Sequence, residues 1–291
     1  MSMISTVLFG TQTRYWYTLP TALIANIELY GRAVRLYVSS DVRSHPISGI
    51  LDDLSDKLPL QVVEVHGSYI NTEPSMWRIR MLWEHGYTDP GFSFLCRDID
   101  SVPTSDEIKA VLLWENSQYP VHSIRSFHLH DTLIMAGLCG FRPNELKFVT
   151  DQVPSYDKYV ELYTKHSSQC PNFVWGCDQE GLRMLFNNLR PYILDCPIGN
   201  CGPHNQSLGI PTASKEAIAA VQISHLNADL VRICDEIMAQ PWGEFKGFAG
   251  RPIGDTRKEL KDILELGTKS GDAFKSVLDK NADYRSFYAH E

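Results

Sequence analysis

The chain is short of positive charge. Its 27 Lys and Arg face 35 Asp and Glu, a formal net charge of −8. A protein that grips nucleic acid through phosphate contacts carries a basic surface, so the balance argues against strong nonspecific DNA binding. A local basic groove, around Arg183, Arg190, Lys246, Arg251 and Arg257, stays open. No run of about eighteen apolar residues exists, which leaves no membrane span to expect. Met1-Ser2-Met3-Ile4-Ser5 shows neither a basic start nor an apolar signal segment. A cytoplasmic location is the expectation, the host cytoplasm if the chain is viral. Internal repeats, low-complexity tracts and a Gly-rich phosphate loop are missing too. Cysteine is sparse, 7 residues, an odd number. Cys96 and Cys139 lie in apolar stretches, as reduced buried thiols do. The spacing of Cys170, Cys177, Cys196 and Cys201 suits paired zinc ligands poorly.

What is present is organised around residues 92–101. The apolar run Phe92 to Cys96 has the length and aromatic content of a strand buried on both faces. It ends in Arg97-Asp98-Ile99-Asp100-Ser101. Alternation along a strand puts Asp98 and Asp100 on one face. Two carboxylates there suit a hard divalent cation carrying a substrate phosphate, although Asp is also common where a strand gives way to a capped helix. Thr104 and Glu107 then form a capping box, opening a helix with Ile108, Val111 and Leu112 on one face. The acid pair thus sits in a strand–loop–helix unit, where open α/β sheets bind ligands.

Along the chain, strands are expected at 6–10, 34–38, 60–65, 121–126 and 192–195, and helices at 20–30, 46–58, 73–85 and 178–190. That alternation marks a mainly parallel sheet covered by helices. Residues 142–168 read as a partly helical flap or acceptor-binding segment, with Tyr156, Tyr159, Leu162 and Tyr163 as its apolar face. Residues 214–239 read as one long helix, followed by a Gly-rich loop and short helices near 256–266 and 271–280. The expected organisation is a domain over 1–210 and a helical extension over 211–291, packed on it and shaping the acceptor site or a homodimer face. Gly10 ends the first strand and lets backbone approach a ligand, beside Thr11 and Arg14. Arg14 alone reads as a solvated side chain, Asp41 as a turn former or a nucleoside contact.

The motifs taken together resemble a family of GT-A-type glycosyltransferases with viral and bacterial members. The likeness runs in order over roughly residues 5–205. It takes in Leu8-Phe9-Gly10, Trp77-Arg78, Arg97-Asp98-Ile99-Asp100-Ser101, Trp114-Glu115-Asn116-Ser117, Arg125 with His130, and Asp178-Gln179 followed by Arg190-Pro191-Tyr192. Ser126 stands where the family has Asp, Phe127 where it has His, and Cys139 where it has Trp. The resemblance implies a GT-A fold and a nucleotide-diphosphate sugar, of the UDP or GDP type, as donor. It implies Mn2+ or Mg2+ held by Asp98, Asp100 and His204. Donor contacts would come from Gly10, Thr11, Arg14, Arg78, Arg97 and Asp98, and catalytic contacts from Asp178, Gln179, Arg125 and His130.

The expected function is metal-dependent transfer of a hexose to an acceptor hydroxyl, with the acidic balance favouring a surface or capsid glycan. A hydroxymethylated DNA base is the alternative acceptor. Two rivals of other classes remain. A metal-dependent nucleotidyltransferase or phosphatase would also use paired Asp, and a non-catalytic carbohydrate-binding protein would use the 6 Trp and 13 Tyr.

Overall fold

The computed structural model describes residues 2–84, 90–126, 132–166, 176–199, 209–241 and 252–289. In chain order it begins with β1 (Ser2–Leu8), α1 (Thr13–Tyr30), β2 (Ala33–Ser39), α2 (Ile50–Ser55), β3 (Leu60–Val65), a 3-10 helix over Glu73–Ile79 and α3 (Met81–Glu84). Next come β4 (Ser93–Arg97), α4 (Ser105–Glu115), β5 (Val121–Arg125) and β6 (Leu138–Phe141). α5 (Lys147–Gln152), α6 (Tyr156–His166), α7 (Cys177–Phe186) and β7 (Ile193–Pro197) follow. The C-terminal region is helical: α8 (Lys215–Ala219), α9 (Ala228–Ala239), α10 (Arg257–Glu265), α11 (Lys269–Lys280) and α12 (Ala282–Tyr288).

The strands form a seven-stranded sheet in the order β3-β2-β1-β4-β6-β5-β7. β1–β4, β2–β3 and β5–β7 pair in parallel, and β6 runs antiparallel to β4 and β5. The α/β class expected from the sequence, a mixed and mainly parallel sheet flanked by helices with a helical C-terminal region, is what the chain adopts. Chain order reverses at β1: β2 and β3 lie to one side and β4 to the other. In open α/β sheets generally, ligands bind at such a switch point.

The chain divides into two compact units. One comprises residues 1–5, 68–97 and 109–221, the other 6–67, 98–108 and 222–291. In the first, β4 and β6 bury Phe94 against Phe141, with Phe186 of α7 stacked beyond. Arg142 closes the carboxyl end of α4. Its guanidinium donates to the carbonyls of Trp114, Glu115, Ser117 and Tyr119 at 2.8–3.1 Å, where a helix leaves acceptors unsatisfied.

In the second unit α1 is the core element, burying Trp16, Leu19, Ala22, Leu23 and Ile24. α9, α10 and α11 pack on it, and α11 also packs on α2. The helix begins at Thr13 and runs through Pro20, earlier than the Pro-initiated start at residue 20 that the sequence suggests. Proline has no N–H, so the Trp16 carbonyl loses its helical donor. The Tyr288 hydroxyl donates to that carbonyl at 2.9 Å.

Other boundaries differ as well. The expected helix over 214–239 is two, α8 and α9, because Asn227 caps a fresh start by accepting from the Leu230 N–H at 3.1 Å. Residues 73–85 hold a 3-10 helix and one α turn rather than a continuous helix. β6, four residues long, carries too little pattern to read from sequence. The segment 142–166 is packed rather than a flap: Tyr156, Tyr159 and Tyr163 are buried, and Trp83 donates to the Val153 carbonyl at 2.6 Å.

Candidate functional site

β4 ends at Arg97, so Asp98 follows the strand and Asp100 sits in a turn. Strand alternation does not set their directions. The burial pattern nonetheless alternates: Ile99 is buried between two half-buried aspartates. The turn is fixed from both sides. The Ser101 hydroxyl donates to the Asp98 carbonyl at 3.3 Å, and the Ile253 N–H donates to the Asp100 carbonyl at 2.7 Å. The Thr104–Glu107 capping box is present, with Thr104 N–H on Glu107 Oε2 at 2.7 Å and Glu107 N–H on Thr104 Oγ1 at 3.2 Å. Asp235 accepts the Ser105 N–H at 2.8 Å. Those amides at the start of α4 are therefore taken by side chains and do not face a phosphate.

α1 differs. It follows Gly10, at φ 71, where the left-handed backbone favours glycine. Its first turn has no acidic residue, and its N-cap Gln12 makes no side-chain capping bond. Exposed Arg14 stands in that turn, 4.5 Å over the Tyr15 ring, and donates to the Tyr15 hydroxyl. Its guanidinium is raised from the ordinary arginine value, first by that hydrogen bond and in lesser part by the charge of Asp100. Thr11 is exposed beside it. At the end of β2, Ser39 Oγ accepts from the Gly10 N–H at 3.4 Å and donates to Asp41. Gly10, Arg14, Ser39, Asp41, Asp98 and Asp100 all belong to the second unit. They lie at or just beyond the carboxyl ends of β1, β2 and β4.

The first unit holds a separate group. Gly176, at φ 88, turns the chain into α7, which carries Asp178 and Gln179 in its first turn. Asp178 Oδ1 accepts the Gln179 N–H at 2.9 Å. Arg78 NH2 lies 3.6 Å from Asp178 Oδ2, with side-chain exposures of 5% and 15%. The same guanidinium donates through Nε to the Ser75 carbonyl at 2.9 Å. The structure thus brings together two residues whose link the sequence does not show. Cys177 secures the start of α7 on the 73–79 helix, its Sγ lying 3.5 Å from Thr72 Oγ1 and 3.6 Å from Ser75 Oγ.

Arg97 closes β4 with its side chain buried. Arg125 has no exposed surface. It donates to Asp195 Oδ1 at 2.6 Å and to the Thr132 and Leu133 carbonyls at 2.8 Å. Burial pushes the Asp195 carboxyl up, against the opposing pull of Arg125. This pair straps β5 to β7 and to the segment entering β6. Asp195 is the residue sequence reading passes over, because its partner is seventy positions away. Cys177 and Cys196 are free buried thiols. His130 and His204 lie outside the described residues, as do Cys170 and Cys201.

Asp98 and Asp100 supply the hard oxygen donors a divalent cation takes, so their chemistry fits one. No group of three His, Cys, Asp or Glu able to hold a metal occurs among the described residues. No described helix is long and apolar enough to cross a membrane.

The chain matches no protein-family model and no curated protein. Among solved structures it is similar to the glycosyltransferase GlyE of Streptococcus pneumoniae, at 14% identity and a TM-score of 0.40, over 67% of this chain and 45% of that one. It is also similar to the mannosyltransferase PcManGT of Pyrobaculum calidifontis, described in complex with GDP-Man and Mn2+, at 11% and 0.43, over 99% and 69%. TarS of S. aureus matches at 11% and 0.34, over 53% and 48%. The chain spans about half the length of the GlyE and TarS chains. At these scores the likenesses carry no argument about chemistry, which is read from the chain's own residues.

Proposed function

We propose that the chain is a metal-dependent glycosyltransferase that moves a sugar, a hexose by the family resemblance, from a UDP- or GDP-type donor to an acceptor hydroxyl. The observation that carries this reading is the twin aspartate turn at the switch point, beside an α1 start that offers Gly10 and Arg14 and no acidic residue. Asp98 and Asp100, with His204, are assigned to hold Mn2+ or Mg2+. A cation held there would supply positive charge against the negative charge that develops on the departing diphosphate. Gly10 and Thr11 bring backbone close to the donor, Arg14 adds a cation, and Asp41, oriented by Ser39, suits nucleoside hydroxyls. Asp178, held by Arg78, is assigned to orient a sugar or acceptor hydroxyl, with Gln179 beside it and His130 in support. Arg97, at the end of β4, stays assigned to the donor side, whereas the Arg125 guanidinium is committed to Asp195 and to the Thr132 and Leu133 carbonyls and is assigned a supporting role behind the catalytic groups.

The acidic net charge supports a glycan acceptor over a DNA base. Against a nucleotidyltransferase or phosphatase reading, the sequence carries no Gly-rich phosphate loop.

The test is incubation of the purified chain with Mn(II) and a panel of uridine and guanosine diphosphate sugars, followed by mass spectrometry. Wild-type protein should release nucleoside diphosphate, and Asp100→Ala should lower that release at least about a hundred-fold, as loss of a group aimed at developing charge does. Equal release by the two proteins refutes the assignment.

A further inference from the structure

The register aligns Ser5 of β1, Cys96 of β4, Cys139 of β6, Ser123 of β5 and Asp195 of β7 in one row across the sheet. Cross-strand partners share a face, so these side chains point the same way. All are buried, and all lie within one compact unit. A row of small and polar residues in the middle of a sheet forgoes apolar packing, which calls for a compensating role.

Each member holds irregular backbone that crosses this face. The Ser5 hydroxyl donates to the Arg78 carbonyl at 2.6 Å, and the Cys96 thiol donates to the same oxygen at 3.6 Å. Cys139 Sγ donates to the Ala136 carbonyl at 3.5 Å. Ser123 Oγ accepts the Met135 N–H at 2.9 Å. Asp195 acts through Arg125, which takes the Thr132 and Leu133 carbonyls. On the carbonyl of Arg78 two donors from neighbouring strands converge. Its peptide is thereby fixed against β1 and β4, its Nε is fixed on Ser75, and the end of its guanidinium faces Asp178.

We propose that Ser5 and Cys96 are positioning residues for sugar transfer. They fasten the Arg78 peptide so that the guanidinium presents one geometry to Asp178. The small size of both side chains lets the 73–79 helix lie close on the sheet, and their O–H and S–H groups satisfy a carbonyl that burial would otherwise leave costly. This inference rests on the reading of Asp178, held by Arg78, as the group that orients a sugar or acceptor hydroxyl, and its test separates the two.

The Ser5→Ala/Cys96→Ala double variant, the Cys96→Ser single variant and Arg78→Ala are compared with wild type. Hydrogen exchange at the Arg78 Nε–H, assigned by its loss in Arg78→Lys, reads the anchor without any substrate. It should quicken about ten-fold or more in the double variant and stay slow in Cys96→Ser, which keeps a donor. Hydrolysis of UDP-glucose and GDP-mannose with Mn(II) reads the chemistry. In the double variant kcat should fall about ten- to a hundred-fold with KM little changed, because a small misplacement acts on orientation, whereas the Cys96→Ser single variant should keep the wild-type kcat. Unchanged exchange in the double variant overturns the proposal whatever the turnover. Faster exchange with an unchanged kcat, while Arg78→Ala is inactive, overturns the link to chemistry and leaves the reading of Arg78 standing. If Arg78→Ala is as active as wild type, the reading of Arg78 fails and the positioning proposal with it. Should the double variant not fold, Ser5→Ala alone, which removes only the hydroxyl, is scored in the same way.

Discussion

Arg125 and Asp195 share a salt bridge with no exposed surface on either side. Two charges that far from water are tolerated only because they meet and because the guanidinium also reaches two carbonyls. Arg125→Met therefore leaves a carboxylate without its cation in the core. Urea denaturation should show a loss of about 3–5 kcal/mol, and the Arg125→Met/Asp195→Leu double variant should regain most of it. A loss below about 1 kcal/mol for the single variant would place the pair in a wetter site than the structure shows. The same pair illustrates what sequence can and cannot display. Asp98 and Asp100 stand out because both acids fall within a few residues of a buried strand and a capping box. Arg125 was equally visible as a cation at a strand end, yet its role depends on a distant partner with no local signature. The Arg78–Asp178 contact is hidden for the same reason, since helix and loop patterns speak only of near neighbours.

At the scale of elements, α1 shows how a local rule is overridden. Proline inside a helix removes a hydrogen bond and normally ends it. Here the freed Trp16 carbonyl is taken by Tyr288, from the last described helix. Thr256 donates to the next carbonyl, that of Tyr17, at 3.1 Å, and Glu28 accepts the Ser270 N–H at 2.7 Å. The C-terminal helices thus complete α1 as well as cover it, which periodicity cannot reveal. Tyr288→Phe keeps the ring contacts with Phe274 and Phe287 and removes only the hydroxyl. It should cost about 1–3 kcal/mol, the price of a buried acceptor left unsatisfied. A shift in thermal midpoint indistinguishable from zero would show that water satisfies the carbonyl instead. The strands at 34–38 and 60–65 were legible to within a residue because their apolar runs are bounded by glycine and proline. β6 and the break between α8 and α9 were not, since one is short and the other rests on a single capping asparagine.

At the scale of the whole molecule, His45 contributes to the response to acid. Its ring stacks on Trp16 at 4.4 Å, lies edge-on to Phe287 and accepts the Ile47 N–H through Nδ1 at 3.4 Å. Burial lowers its affinity for a proton below the ordinary histidine value of 6.5. The unfolded chain then binds that proton first as pH falls. Stability from the neutral ring is complete above about pH 6.5 and is lost as pH drops through the folded value. His45→Phe, which keeps the stack, should flatten the fall of the unfolding midpoint below pH 6.5. An identical pH profile for the two proteins would mean that other groups govern the acid limb. A sheet whose order reverses at β1 gathers Gly10, Asp41, Asp98 and Asp100 at strand ends, from parts of the chain up to ninety residues apart.

The central claim is that Asp98 and Asp100 hold a cation that a nucleoside diphosphate shares. Electron paramagnetic resonance of Mn(II) titrated into wild type and into Asp98→Asn/Asp100→Asn, each with and without UDP or GDP, tests it directly. Wild type should take up Mn(II) more tightly when one nucleotide is present, and the double variant should leave the metal free under the same conditions. Equal uptake by the two proteins, or uptake by wild type that neither nucleotide alters, would contradict it.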